Sequence, residues 1–221
     1  MGVCARKDLS LMEIINISSS YMSANSYLLV DSDTNEAAVV DPGGDAPRII
    51  YAIQSNAVRV TAILLTHGHY DHILALDEIK AYTHAPVYIH RLDNCCLQNP
   101  AFSLMGFIGR DDTFDDADVL LEDGDTVRIG NSTVTVMHTT GHTAGSVCYI
   151  TDAGIISGDT LFYESVGRTD FPGGSFATLS SSIRALYARE GDEIVYPGHG
   201  QTTSLSHERI CNPFVQQNTE L

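Results

Sequence analysis

No stretch of this sequence stays apolar for the roughly 18 residues that a membrane-spanning helix needs, which argues against a helical membrane protein. The first residues, Met1-Gly2-Val3-Cys4-Ala5-Arg6-Lys7, lack the apolar core of a signal peptide, and Arg6 stands where a myristoylation motif carries Ser or Thr. The expectation is a cytoplasmic chain with no membrane partner. Basic residues are scarce as well: 12 Lys and Arg face 28 Asp and Glu, a formal charge of −16. Such a surface repels phosphate backbones and argues against nucleic acid as a partner. The five cysteines, Cys4, Cys95, Cys96, Cys148 and Cys211, are odd in number and include no CxxC pair, so they read as reduced thiols rather than a disulfide framework. Low-complexity tracts and short repeats are missing too. With 43% hydrophobic and 18% charged residues, the composition is that of an ordinary globular protein.

Eight of the 28 acidic residues fall in Asp111–Asp125, which holds no Lys or Arg. This stretch reads as a solvated surface loop; its spacing does not fit an EF-hand calcium loop.

Strand-like segments at Met12–Ile17, Ser26–Val30 and Ala37–Val40, the last closed by Asp41-Pro42-Gly43-Gly44, suggest a meander. Ala46–Asn56 has helical spacing, and Val58–Leu65 is a near-continuous apolar run typical of a strand buried on both faces. A helix over Ile73–Tyr82, a strand over Pro86–His90 and a short helix over Arg91–Gln98 follow. The second half starts again with strands at Val119–Leu121, Thr126–Ile129, Ser132–His138, Ser146–Ile150 and Gly154–Ser157, then a helix over Phe176–Tyr187 and a strand over Glu193–Tyr196. The whole chain, 1–221, is expected to form one domain of two β/α halves, roughly 12–115 and 116–210, packed sheet against sheet with helices outside and sharing one site.

The densest chemical signal is Thr66-His67-Gly68-His69-Tyr70-Asp71-His72, three imidazoles and a carboxylate within six positions directly after the long apolar run. Zinc takes imidazole nitrogen and carboxylate oxygen at about 2.0–2.2 Å, so ligands this close in sequence converge without long loops to order. Three more candidates each follow a strand: His142 after Ser132–His138, Asp159 after Gly154–Ser157, and His199 after Glu193–Tyr196. Strand ends are the usual address of sites in α/β sheets. Seven candidates exceed the needs of one ion and suit two. His67, His69 and His142 would form one face, Asp71, His72 and His199 the other, and Asp159 the bridge. A hydroxide shared between two ions roughly 3.5–4 Å apart would be the nucleophile, and Asp71 would also orient it. The expected cofactors are two divalent ions, zinc first, with iron or manganese as alternatives. Tyr70 is a candidate for lining the cleft. Asp41 and His138 are read chiefly as a turn residue and an ordinary hydrogen-bonded histidine.

These motifs resemble the metallo-β-lactamase-fold hydrolases, whose signature is HxHxDH followed by a separate His, Asp and His. Residues 66–72, 138–143, 157–162 and 196–200 match in order and spacing, and Val166-Gly167-Arg168-Thr169-Asp170-Phe171-Pro172-Gly173-Gly174 is similar to the short glyoxalase II-like, hydroxyacylglutathione hydrolase-type enzymes. The closing Glu208–Phe214 segment resembles their short tail. The resemblance implies an α/β fold, an αββα four-layer sandwich of two mixed sheets with helices on the outer faces. It also implies hydrolysis of a small thioester such as S-lactoylglutathione, with Arg168 gripping a substrate carboxylate. A structural role for Arg168 in tying down its own loop stays open. So do two other activities: a mono-iron persulfide dioxygenase, a family that shares the Gly-Arg-Thr-Asp-Phe segment, and a lactonase or β-lactamase-type hydrolase.

Overall fold

The computed structural model describes residues 12–17 and 24–216, so Met1-Gly2 and Cys4 lie outside it. The opening strands form the expected meander: β1 (Met12–Ile17), β2 (Ser26–Asp31) and β3 (Glu36–Val40) pair antiparallel in sequence order. The chain then crosses through α1 (Ala46–Ser55) to β4 (Arg59–Leu64), parallel to β3. Two helices follow where one was expected over Ile73–Tyr82: α2 (Tyr70–Ile73) and α3 (Leu76–Thr83). The break has a local cause, since the Ala75 N–H donates to the Pro42 carbonyl at 2.9 Å and leaves the helical ladder. Next come β5 (Val87–His90), α4 (Asn94–Gln98), a 3-10 turn over Met105–Ile108, and β6 (Val119–Leu121).

Val119–Leu121 was expected to open the second half and instead closes the first sheet, pairing parallel to β5. Leu121 is buried in the core while Leu120 stays exposed, so the strand fits an edge with one face inward. The boundary between the two halves therefore falls after Leu121 rather than at 115/116. The acidic stretch leads into this edge, and Asp118 accepts the Val87 N–H at 2.8 Å.

The second sheet is built from β7 (Thr126–Ile129), β8 (Ser132–His138), β9 (Val147–Ile150), β10 (Ile155–Gly158), β13 (Ile194–Pro197) and β14 (Thr203–Ser204), in the spatial order β14-β13-β10-β9-β8-β7. A small hairpin, β11 (Leu161–Phe162) with β12 (Ser165–Val166), leaves β10 and leads toward α5 (Phe176–Tyr187); α6 (Leu205–Cys211) follows β14. The hairpin, β14 and α6 carry too few residues for a periodic signal.

Alternation sorts the side chains into three apolar layers. Along β2, Tyr27 and Leu29 face the second sheet and pack with Val134, Val136 and Tyr149, whereas Leu28 and Val30 face the other way, against Ile49, Ile53 and Ile79 of α1 and α3. The outer face of the second sheet is covered by Leu179, Ile183 and Leu186 of α5 and Leu205 of α6. The Ser175 side chain caps α5 by accepting the Thr178 N–H. The result is the αββα sandwich of two mixed sheets. Cys95, Cys96, Cys148 and Cys211 are free thiols. No helix among the described residues is long and apolar enough to cross a membrane.

Candidate metal centre

Four loops, those after β4, β8, β10 and β13, deliver His67 through His72, His142, Asp159 and His199 to one edge of the sandwich. His67, His69 and His142 each bring a ring nitrogen within 4.8 Å of the others, as do the donor atoms of Asp71, His72 and His199 and those of His67, His72 and Asp159. Asp159 lies between the groups: its Oδ1 is 3.3 Å from His72 Nε2, and its Oδ2 is 3.5 Å from both His142 Nε2 and His199 Nε2. His199 Nε2 is also 3.2 Å from Asp71 Oδ2. Gly198 allows this closeness, because a Cβ there would land on Asp159 Oδ1 and stand 2.8 Å from His72 Cε1.

Three buried atoms in this cluster, His67 Nε2, His72 Nε2 and Asp159 Oδ1, have no hydrogen-bond partner. Polar atoms left bare in an interior are costly unless something else satisfies them, and nitrogen and oxygen lone pairs converging on one place suit cations. The ring tautomers agree. Asp41 accepts from His72 Nδ1 at 2.8 Å and from the Thr66 hydroxyl at 2.6 Å, and that hydroxyl in turn lies 3.1 Å from His67 Nδ1. Both Nδ1 atoms therefore carry protons and both Nε2 atoms face the cluster. His142 Nδ1 donates to the Arg168 carbonyl at 2.7 Å, which turns its Nε2 into the cluster, 2.9 Å from His69 Nδ1. The residues fit divalent metal ions.

Charge is unevenly spread over the cluster. Burial and the neighbouring His72, His69 and His142 hold His67 well below the usual imidazole range, and burial with His142 takes His69 down to about 3. His67 and His69 are therefore neutral. Burial also works against a charged His72 and His199, but Asp159 and Asp41 hold His72 well above its ordinary value, and Asp159 and Asp71 push His199 up to about 9. Burial would raise Asp159, yet His72, His199 and His142 keep it well below the usual carboxylate range. A bound cation replaces the imidazolium protons, because a coordinating imidazole is neutral.

Two acidic residues bear on the site beyond the sequence reading. Asp41, read chiefly as a turn residue, is buried and holds the rings of His72 and, through Thr66, His67. Asp93, not singled out by the sequence, accepts the Thr143 hydroxyl and the Gly145 N–H, both at 2.7 Å, and the Gly68 N–H at 3.3 Å, joining the His67 loop to the His142 loop. The Asp-Pro-Gly-Gly turn abutting a buried strand was a signal for Asp41. For Asp93, at the N-terminal end of α4, there was none. His138 stacks on His90 with ring centroids 4.0 Å apart and bonds the Ala144 carbonyl at 2.9 Å, an ordinary hydrogen-bonded histidine.

A cavity of about 290 Å³ opens over the cluster, lined on its polar side by His69, Asp71, His142, Asp159 and His199. Leu104, Phe107, Phe162 and Phe171 form an apolar wall that the sequence reading missed, and Tyr70 and Arg168 stand at the same cavity. The Arg168 guanidinium is mostly exposed, lies 4.3 Å over the Phe171 ring and pairs with Asp170 at 2.7 Å; its partner is a carboxylate and not its own loop's carbonyls. A larger open depression of about 580 Å³, lined by Asp77, Lys80, His84 and Phe114, contains none of the seven residues.

Comparison with known proteins points the same way. The sequence profile of the metallo-beta-lactamase superfamily matches residues 21–199. The chain is 37% identical over 198 residues to the probable metallo-hydrolase YqgX of Bacillus subtilis, covering 88% of this chain and 93% of that one. It is 31% identical over 213 residues to the hydroxyacylglutathione hydrolase GloC of Haemophilus influenzae, covering 94% and 99%. Among solved structures, the BLEG-1 B3 metallo-beta-lactamase superposes with a TM-score of 0.87 at 38% identity, over 92% of this chain and 99% of that one. A di-iron-bound form of TTHA1623 superposes with a TM-score of 0.80 at 29% identity, over 91% and 100%.

Proposed function

This chain belongs to the metallo-beta-lactamase superfamily, and we propose that it is a binuclear thioester hydrolase acting on S-lactoylglutathione or a related small hydroxyacyl thioester. The observation that carries the reading is the position of Asp159 between two triads beneath a cavity walled by phenylalanines. The likeness to GloC, a hydroxyacylglutathione hydrolase by name, supports the substrate class. His67, His69 and His142 would hold one ion, Asp71, His72 and His199 the second, and Asp159 both. Zinc is the first choice for this donor set, and the di-iron neighbour makes iron the second.

When bound, such ions supply charge that acidifies water toward neutrality and polarises a carbonyl. The chain's own residues do the rest. Asp71, next to His199, is placed to accept a hydrogen bond from the attacking water and set its direction. Leu104, Phe107 and Phe171 keep bulk water from the acyl group. Arg168 sits at the cavity mouth with its fork engaged by Asp170, a carboxylate that an anionic substrate would replace. No strong general acid is needed, because the departing thiol has a pKa near 8.5 and leaves as the thiolate.

The likeness to BLEG-1 favours a second reading, β-lactam hydrolysis. Three assays on zinc- and iron-loaded protein separate the possibilities: thiol release from S-lactoylglutathione, opening of a chromogenic β-lactam, and oxygen uptake with glutathione persulfide. Thiol release without oxygen uptake supports the thioesterase. Ring opening far above thiol release replaces it with the second reading, and oxygen uptake replaces both with the dioxygenase.

A further inference from the structure

Glu164, His207 and Cys211 each bring one donor atom within 4.8 Å of the other two, and none belongs to the His/Asp cluster. Glu164 sits at the tip of the β11–β12 hairpin, while His207 and Cys211 are four residues apart on α6 and share one helix face. His207 Nε2 is 3.1 Å from Glu164 Oε1, and the Tyr163 ring stacks on the imidazole with centroids 5.0 Å apart. Cys211 is a free, exposed thiol.

The two elements are locked together from beneath. Glu208 is fully buried, and its carboxylate accepts the Glu164 N–H at 3.1 and 3.0 Å, the Thr203 hydroxyl at 2.6 Å and the Asn212 amide at 2.8 Å. The hairpin tip is thereby fixed against α6 before any ion arrives. Ligands of a tetrahedral zinc stand roughly 3.5 Å apart, close to the separation of at most 4.8 Å that the three donor atoms already show.

We propose that Glu164, His207 and Cys211 form a second cation site, separate from the His/Asp centre, that takes Zn2+ through a carboxylate oxygen, an imidazole nitrogen and a thiolate. The thiolate favours zinc over magnesium or calcium, and its proton is released on binding. An ion there clamps the hairpin that carries Phe162, whose ring lies 5.9 Å from that of His199.

Cobalt distinguishes this site from the first. The His/Asp centre offers no sulfur, so thiolate-to-cobalt charge-transfer absorption in the near ultraviolet arises only where a cysteine coordinates. Protein freed of metal by chelation is titrated with Co2+ in the presence of a thiol-free reductant. The expected result is a saturable band, lost in Cys211→Ser and His207→Ala and kept in Cys95→Ser. Glu164→Ala should raise the half-saturating cobalt about tenfold. A wild-type protein with no such band, a band that survives Cys211→Ser or His207→Ala, or an unmoved midpoint in Glu164→Ala overturns the assignment. Because the readout is spectral, it stands or falls independently of the activity proposed for the first site.

Discussion

Nδ1 of His72 lies 2.8 Å from the Asp41 carboxylate, while Nε2 of the same ring lies 3.3 Å from Asp159. The ring is thus held from behind by one carboxylate and presented to the cluster on its other side. Asp41 has a left-handed backbone, φ +47, which asparagine also tolerates. Asp41→Asn should therefore keep the turn but lose the acceptor that fixes His72 and Thr66 together, lowering metal affinity about 10- to 100-fold. Competition with a chromophoric chelator measures this. Wild-type affinity in the variant would remove Asp41 from the site.

What could be read from the chain and what could not divides along sequence distance. His67, His69, Asp71 and His72 announce themselves because they are contiguous and follow a buried strand, and the apolar run before them already places them at a sheet end. Asp41 meets His72 across 31 residues, and Asp93 meets Gly145 across 52; neither partnership leaves a local pattern. The same holds for β6, whose three residues announce a strand without naming its neighbour. The phenylalanine wall was illegible for a related reason, since Phe107, Phe162 and Phe171 come from a 3-10 turn, from β11 and from the loop after β12, and each alone looks like a stray apolar residue.

Asp159 faces both triads and His199 only one, so their removal should differ in stoichiometry. Asp159→Ala is expected to lose both ions and nearly all hydrolysis, whereas His199→Ala loses one ion and retains the other. Elemental analysis of the purified variants counts them directly. Two metals per chain in His199→Ala would contradict the proposed grouping.

Removing the Arg168 side chain leaves its backbone carbonyl in place, so the hydrogen bond that orients His142 survives in Arg168→Ala. The exposed pair with Asp170 contributes little to stability, since solvent screens it. The expected outcome is a KM for S-lactoylglutathione raised about tenfold, equivalent to about 1.4 kcal/mol of lost binding, with kcat and the melting temperature nearly unchanged. A neutral thioester should show no such rise. Equal losses with both substrates would instead assign Arg168 to holding its loop.

Asp31, at the end of β2, ties the first sheet to the β7–β8 turn of the second. Its carboxylate accepts from Thr34 N and Oγ1 at 2.9 and 2.8 Å, from Ser132 N and Oγ at 2.9 and 2.7 Å, and from Asn131 N at 3.1 Å. Burial works to raise its pKa, but the hydrogen bonds from Ser132 and Thr34 prevail and lower it to about 2. A depressed folded-state value means that the stabilisation is fully present above the unfolded value of about 3.9 and fades as pH falls toward 2. Asp31→Asn should thus cost roughly 2 kcal/mol at neutral pH, and the gap from wild type should close between pH 4 and 2. Urea midpoints of metal-free protein across that range test it; a gap independent of pH would mean that charge is not involved.

Gly198 tests the geometry of the centre without touching a donor atom. Its N–H donates to the Gly158 carbonyl at 2.8 Å and its own carbonyl accepts from the Asn25 N–H at 2.6 Å, so the backbone is held from both sides. A methyl group in Gly198→Ala would fall on Asp159 Oδ1 and 2.8 Å from His72 Cε1. Since the backbone is pinned, the group that yields is the Asp159 carboxylate. Overpacking of this kind costs about 1–3 kcal/mol, which a fold of this size survives. Metal retention should suffer far more than folding, with both ions weakened because Asp159 serves both triads. Thermal melting of the metal-free protein and elemental analysis after dialysis separate the two effects. A folded Gly198→Ala that keeps two tightly bound ions would show that the placement of Asp159 between the triads does not govern the centre.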